Sequence, residues 1–264
     1  MAGRPIWYEL MAPDPRTAAP FYRAVLSWSI PDDGSKMPNG SDYRMIGRPD
    51  GGFAGGVLTL TSAMQSGGAR TGWIPYFHVD DVDATVGKAT KLDAPTWMPP
   101  QTMSGVGRMA MLADPQGAPF YVMKPTPPPD RPQAQSDVFD AKKAGHCRWN
   151  ELLTTKALAA KSFYEELLGW TIDEKMSMGS EGDYLFVDCA SERIGAIGPT
   201  TKPAPKPCWL LYFGVEDVAQ GQAAVTNNGG KVVREPTEIP RDEYAFIATD
   251  PAGALVGFVG PKKS

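Results

Sequence analysis

One similarity at a near-constant offset runs through this 264-residue sequence and restricts the folds open to it more than any other feature. Trp7, Glu9, Leu10, Phe21, Tyr22 and Trp28 recur as Trp149, Glu151, Leu152, Phe163, Tyr164 and Trp170, 142 residues later (149 minus 7). Trp73, Tyr76, Phe77, Val79, Asp81 and Val82 recur as Trp209, Tyr212, Phe213, Val215, Asp217 and Val218, now 136 residues later (209 minus 73). Asp114-Pro115 and Gly117 return as Asp250-Pro251 and Gly253 at that second offset. The six lost residues belong in loops, which absorb deletions more readily than packed elements. Two matched domains are expected, 1–125 and 146–264, joined by a Pro-rich linker at 126–145. The stretch from Lys124 to His146 lacks apolar periodicity, and Pro127-Pro128-Pro129 favour extended backbone, so it reads as a spacer with His146 at the surface.

Each half divides again. A short apolar run, IWYELMA, precedes Asp14-Pro15, a helix cap followed by proline at the first helical position; Ala18, Phe21, Tyr22, Val25 and Leu26 then share one helical face. Pro20 removes one backbone donor within that helix. The second quarter runs WIPYFHV, Asp80 or Asp81 as cap, then Val82, Val86, Ala89 and Leu92. The third uses RWNELL and Leu158 to Leu168, the fourth WLLYFGV, Asp217 and a stop at Gly229-Gly230. Short runs such as DYRMIG, GGFAGGVL, DYLFVD and ALVGFVG follow each helix. The Gly51-Gly52 and Gly55-Gly56 pairs lack the Lys-Ser or Lys-Thr of a phosphate loop and read as bends in a sheet, while Gly67-Gly68 marks a loop. The order is strand, helix, three strands, four times over, an α+β chain.

That order, with WxEL, the FY pair, Leu168 to Trp170 as LGW, the YFxVxDV run and DPxG, resembles the vicinal oxygen chelate superfamily of glyoxalases, extradiol dioxygenases and bleomycin-resistance proteins. The resemblance implies four βαβββ modules forming two tandem glyoxalase-like domains, each a cup-shaped eight-stranded half-barrel. It also implies metal-ligand positions at Trp7 and Ile74 in the first half and Trp149 and Leu210 in the second, with a carboxylate position at Tyr121 and Gly257. None of those side chains offers a divalent ion a good donor, a neutral phenol being a poor one. No cofactor is therefore expected, with a divalent metal as the alternative.

Composition narrows the partners. With 26 basic against 30 acidic residues there is no electrostatic footprint for a nucleic acid, and no run approaches the roughly 20 apolar residues of a membrane span. A cytoplasmic protein, monomer or homodimer, with a small organic ligand is the expectation. Cys147, Cys189 and Cys208 are widely spaced and read as reduced thiols, and two histidines, His78 and His146, are few for a metal site or a His-based triad.

Strand alternation lists the concave residues, since side chains two apart share a face. In the first half these include Trp7, Glu9, Met11, Ile74, Tyr76, His78, Tyr121 and Met123; in the second, Trp149, Glu151, Leu210, Tyr212 and Gly257. Glu9 is a candidate general base, or a structural acceptor paired with a cation such as Arg44. His78 is a candidate proton carrier, or a satisfied strand histidine. Trp7, Met11, Ile74, Tyr76, Tyr121, Met123, Trp149, Glu151 and Tyr212 are candidate ligand contacts, the tyrosines serving equally as core. Three roles fit: a metal-independent small-molecule binder or enzyme, a metal-dependent glyoxalase- or dioxygenase-type enzyme, and a non-catalytic sequestering protein.

Overall fold

The computed structural model describes residues 2–37, 40–200, 204 and 206–263. The first module runs β1 (Pro5–Ala12), α1 (Pro15–Leu26), β2 (Ser35–Lys36), β3 (Asp42–Gly47) and β4 (Phe53–Thr59). After a short helix α2 (Ser62–Ser66), which ends just before Gly67-Gly68, the second runs β5 (Gly72–His78), α3 (Val82–Lys91), β6 (Thr96–Met103), β7 (Gly107–Ala113) and β8 (Pro119–Pro125). The third is β9 (Cys147–Thr154), α4 (Ala157–Leu168), β10 (Lys175–Ser177), β11 (Asp183–Cys189) and β12 (Glu192–Pro199). The fourth is β13 (Cys208–Gly214), α5 (Val218–Asn227), β14 (Lys231–Ile239), β15 (Glu243–Thr249) and β16 (Leu255–Pro261). The strands form two curled eight-stranded half-barrel sheets, ordered β2-β3-β4-β1-β5-β8-β7-β6 and β10-β11-β12-β9-β13-β16-β15-β14. Four βαβββ modules in two tandem domains are thus the architecture.

Local chemistry sets the helix ends. Asp14, Asp81 and Asp217 accept backbone N–H bonds from Arg16, Ala84 and Ala219, so each satisfies a donor that the first helical turn leaves open. Ser27 and Gly169 close α1 and α4 in the left-handed conformation. Where β4 runs beside β1, a Cβ on Gly55 would sit 2.0 Å from the Tyr8 carbonyl oxygen, so the close approach of these strands depends on glycine.

Chain contacts group into two compact units that cut across the tandem order. One comprises the chain up to Ile6, Ile74–Ser136 and Asn150–Trp209; the other comprises Trp7–Trp73, Asp137–Trp149 and Leu210 onward. In the first unit Phe77 packs edge-on to Trp170 (centroids 5.0 Å) and Trp209 (5.3 Å), and Tyr164 stacks on Trp170 at 5.0 Å. Asp114 accepts backbone N–H bonds from Gln116 and Ala118, each at 2.9 Å, and the Tyr164 hydroxyl at 3.4 Å. The second unit repeats the arrangement: Tyr22 stacks on Trp28 at 5.6 Å, and Phe213 meets Trp28 at 4.8 Å and Trp73 at 4.9 Å. Here the Trp73 indole donates to the Tyr22 hydroxyl at 2.9 Å, and that hydroxyl donates to Asp250 at 3.2 Å. Most of the aromatic residues that reveal the repeat are therefore core, each unit drawing on both halves of the sequence.

The end of the spacer departs from its sequence reading. Val138 and Phe139 are buried, Phe139 bridges to Cys147, and Trp28 donates its indole N–H to the Gly145 carbonyl at 3.0 Å. Arg48, whose side chain is 1 % exposed, binds Asp137 at 2.5 Å and Asp50 at 3.1 Å. His146, expected at the surface, is buried, its Nδ1 3.1 Å from the Ala144 carbonyl and its Nε2 3.7 Å from Asp50. A polar, periodless composition conceals two apolar anchors and a buried cation that lies far away in sequence.

Candidate functional site

In the first half, β1 aligns in parallel with β4, with Glu9 opposite Gly56 and Met11 opposite Leu58. Antiparallel β3 continues these rows, Met45 opposite Gly56 and Tyr43 opposite Leu58. The Tyr43 ring leans diagonally across β4: a Cβ on Gly56 would lie 2.3 Å from its hydroxyl oxygen, so only glycine leaves room there. The Trp7 indole N–H donates to that hydroxyl at 2.6 Å. Burial, and after it the charge of Glu9, pushes the Tyr43 phenol well above its usual range. Glu9 itself is buried, at 2 % exposure. Trp7 and Glu9 of β1 and Tyr43 of β3 thus form one aromatic and carboxylate group over the glycine of β4, flanked by Phe53, whose ring centroid is 6.4 Å from that of Trp7. Phe53 and Met45 are among the exposed large apolar side chains.

Arg44, considered as a cation for Glu9, turns its guanidinium to the Asp32 carbonyl at 3.1 Å, the Thr59 hydroxyl at 3.3 Å and Asp42 at 3.8 Å. Met11 is buried on β1.

On β5 and β8, Tyr76 lies opposite Tyr121 and His78 opposite Met123. The two tyrosine rings stack at 4.0 Å with planes 12° apart, and Ile74, Tyr76, Tyr121 and Met123 are all buried. His78 is half-buried, with Nδ1 3.9 Å from Asp80. In the second half Tyr212 lies opposite Gly257, and a Cβ there would fall 2.3 Å from the Tyr212 ring. Trp149 is half-buried and Glu151 buried on β9.

These contacts bear on the metal that the fold family implies. At the position where that family places a carboxylate ligand, Tyr121 stacks on Tyr76 in one half; in the other, Tyr212 lies over Gly257. A phenol ring fills the space in both. Among the described residues no group of three or more His, Cys, Asp or Glu could hold a metal ion. Trp7, Ile74 and Tyr121 in one half and Trp149, Leu210 and Gly257 in the other are a poor donor set for a divalent metal.

Tyr43 was not singled out from sequence. Its counterpart on β11 is Tyr184, 141 residues later (184 minus 43), and both follow an aspartate paired with a lysine of the neighbouring strand: Asp42 with Lys36 at 2.6 Å, Asp183 with Lys175 at 2.7 Å. The repeated Asp-Tyr dipeptide is the signal that could have found them.

Two family models match the chain. The description "Glyoxalase-like domain" applies to residues 7–123, and "Glyoxalase/Bleomycin resistance protein/Dioxygenase superfamily" to residues 143–258. Among curated relatives, the putative glyoxylase CFP32 of Mycobacterium tuberculosis is 27% identical over 98% of this chain and 95% of its own length. The anthracycline biosynthesis protein DnrV of Streptomyces peucetius is 27% identical over 96% of this chain and 91% of its own. Among solved structures, the Mn(II)-bound glyoxalase from Novosphingobium aromaticivorans superposes with a TM-score of 0.67 at 13% identity, over 99% of this chain and 83% of that one. The 2,3-dioxygenase LapB from Pseudomonas sp. KL28 does so with 0.63 at 16%, over 100% and 94%. At such identities these two structures speak for the fold alone. No helix among the described residues is long and apolar enough to cross a membrane.

Proposed function

Because the chain belongs to the Glyoxalase/Bleomycin resistance protein/Dioxygenase superfamily, we propose that it binds a small organic molecule on the β1, β3 and β4 surface of its first half without a metal ion. The observation that supports this reading is the Trp7 indole held at 2.6 Å from the Tyr43 hydroxyl, beside the buried Glu9. The indole N–H occupies an acceptor site of the phenol, which leaves the phenol proton for a donor role. Glu9 supplies a carboxylate acceptor, and Trp7, Phe53 and Met45 supply apolar surface. A flat, largely apolar ligand carrying a hydroxyl or amino group suits such a surface, its rings lying on the aromatic side chains and its polar group reaching the phenol and the carboxylate. Glu9 is the group placed to take a proton from such a ligand, with Tyr43 and Trp7 positioning it. Tyr76, Tyr121, Ile74 and Met123 are read as apolar lining of the first half, and His78 as a proton carrier steadied by Asp80.

Similarity to an anthracycline biosynthesis protein makes planar aromatic compounds a reasonable first probe. Equilibrium titration of the purified protein with an anthracycline and with 1,8-dihydroxyanthraquinone, followed by tryptophan fluorescence, tests the reading. Trp7→Ala, Tyr43→Phe and Glu9→Gln should each weaken binding at least about tenfold, the effect of losing one well-made contact in a dry site. Binding that ignores all three substitutions overturns the placement. Stoichiometric manganese, iron, nickel or zinc in protein purified without chelator overturns its metal-free part.

A further inference from the structure

The second half repeats the first-half arrangement in altered form. Glu151 on β9 is buried, and Tyr184 on β11 approaches it across β12. A Cβ on Gly198 would lie 2.9 and 3.0 Å from two Tyr184 ring carbons and 3.4 Å from Glu151 Oε1. Carboxylate and ring therefore face each other over a glycine, as Glu9 and Tyr43 do over Gly56. Cys208 at the start of β13 is half-buried, and burial, with Glu151 as the second cause, pushes its thiol up to about 11. That thiol stays protonated at neutral pH. Phe186 meets Tyr184 edge-on at 5.7 Å and carries the Arg193 guanidinium 4.7 Å above its ring.

The differences matter as much as the likeness. Glu9 lies opposite Gly56, whereas Glu151 lies opposite Ala196, and Gly198 lies one row on, opposite Leu153. The glycine that admits the tyrosine has thus moved two residues along the strand while the tyrosine and the glutamate have stayed. In both halves a glycine makes room for a tyrosine ring on the face that carries the buried glutamate, by a different residue of the strand each time.

We propose that Glu151, Tyr184 and Cys208 form a second ligand site, separate from the one on β1, which takes the same chemical class: a planar, mostly apolar molecule with a hydroxyl or amino donor for the carboxylate. The chemical class rests on the reading given under Proposed function. The existence of the second site does not, since it stands on second-half residues alone.

Titration calorimetry of the full chain with 1,8-dihydroxyanthraquinone tests it. Two equivalents are expected for the wild type. Glu9→Gln with Tyr43→Phe should leave one, and Glu151→Gln with Tyr184→Phe should leave the other. Gly198→Val, which pushes the Tyr184 ring aside, should weaken the second equivalent at least about tenfold. Circular dichroism melts keep loss of fold apart from loss of site. Bound probe should also slow iodoacetamide labelling of Cys208, read by peptide mass. One equivalent that survives the second-half substitutions and vanishes with the first-half ones overturns the second site and leaves the first intact. One equivalent with the opposite pattern supports the second site and overturns the first. No binding at either half overturns both.

Discussion

The Tyr22 hydroxyl donates a hydrogen bond to Asp250, 228 residues further along the chain, at 3.2 Å. That hydroxyl also accepts from the Trp73 indole at 2.9 Å, so one buried oxygen closes a chain of donors and acceptors between α1 and the turn before β16. Asp250 binds its own turn through the Ala252 and Ala254 N–H groups. Removing the phenol oxygen strands an indole donor and a buried carboxylate together. Tyr22→Phe should therefore destabilise by about 1–3 kcal/mol in urea denaturation. Tyr164→Phe should cost less, because the Tyr164–Asp114 contact is longer, at 3.4 Å.

Both aspartates are held above the usual carboxylate range, burial being the largest cause and backbone N–H bonds opposing it. A raised pKa means that the native state takes up its proton before the unfolded chain does. The associated stability is fully present below the unfolded value of about 3.9 and is lost as pH rises through the folded pKa. Asp50 and Asp140 run the other way, since their lowered pKa contributes above the unfolded value and is lost on acidification through the folded one. Subtracting Asp250→Asn from wild type isolates the first effect. The wild type should gain on the variant as pH falls from about 7 to about 4, and a difference independent of pH in urea melts would contradict the assignment.

Gly56→Ala places a methyl group where the Tyr43 hydroxyl now sits. The ring must swing off β4 and release the Trp7 indole, at a cost of about 1–3 kcal/mol from overpacking. A shift in tryptophan emission together with weaker binding of the anthraquinone probe is the expected result; unchanged emission would show that the ring was not constrained.

Arg48 holds Asp137, at the end of the spacer, to the turn between β3 and β4. Arg48→Met keeps much of the buried stem and removes the guanidinium. Loss of about 1–3 kcal/mol and faster proteolytic cleavage within residues 126–147 should follow, because both aspartates can turn to water while the buried anchor is lost.

Chelation should leave the thermal midpoint unchanged. A resident ion at a hundred times its dissociation constant would add about 2.7 kcal/mol, enough to be seen when EDTA removes it. A drop in midpoint that added manganese or zinc reverses would contradict the metal-free reading.

Much of this molecule is legible in local pattern. Asp14, Asp81 and Asp217 announce helix starts because capping needs only a side-chain oxygen within three residues of its donors. The repeat announces four modules, because equal elements need equal apolar spacing. Trp7, Ile74 and Tyr121 could be recognised as poor metal ligands from side-chain chemistry alone. Tyr43 and Tyr184 escaped, because their importance lies in a ring leaning over a glycine on another strand. His146 escaped because burial beside Arg48 and Asp50 is written nowhere near it in the chain.

By itself the sequence determined element order, module number and the absence of good donors at the expected ligand positions, all properties of side chains and short spacings. Only the tertiary structure decided that Tyr22 answers Asp250 and Tyr164 answers Asp114, and that a phenol rests beside Glu9. Those pairings depend on which distant strands come into register and where a missing Cβ lets a ring through, and such packing choices are settled only when the whole sheet closes.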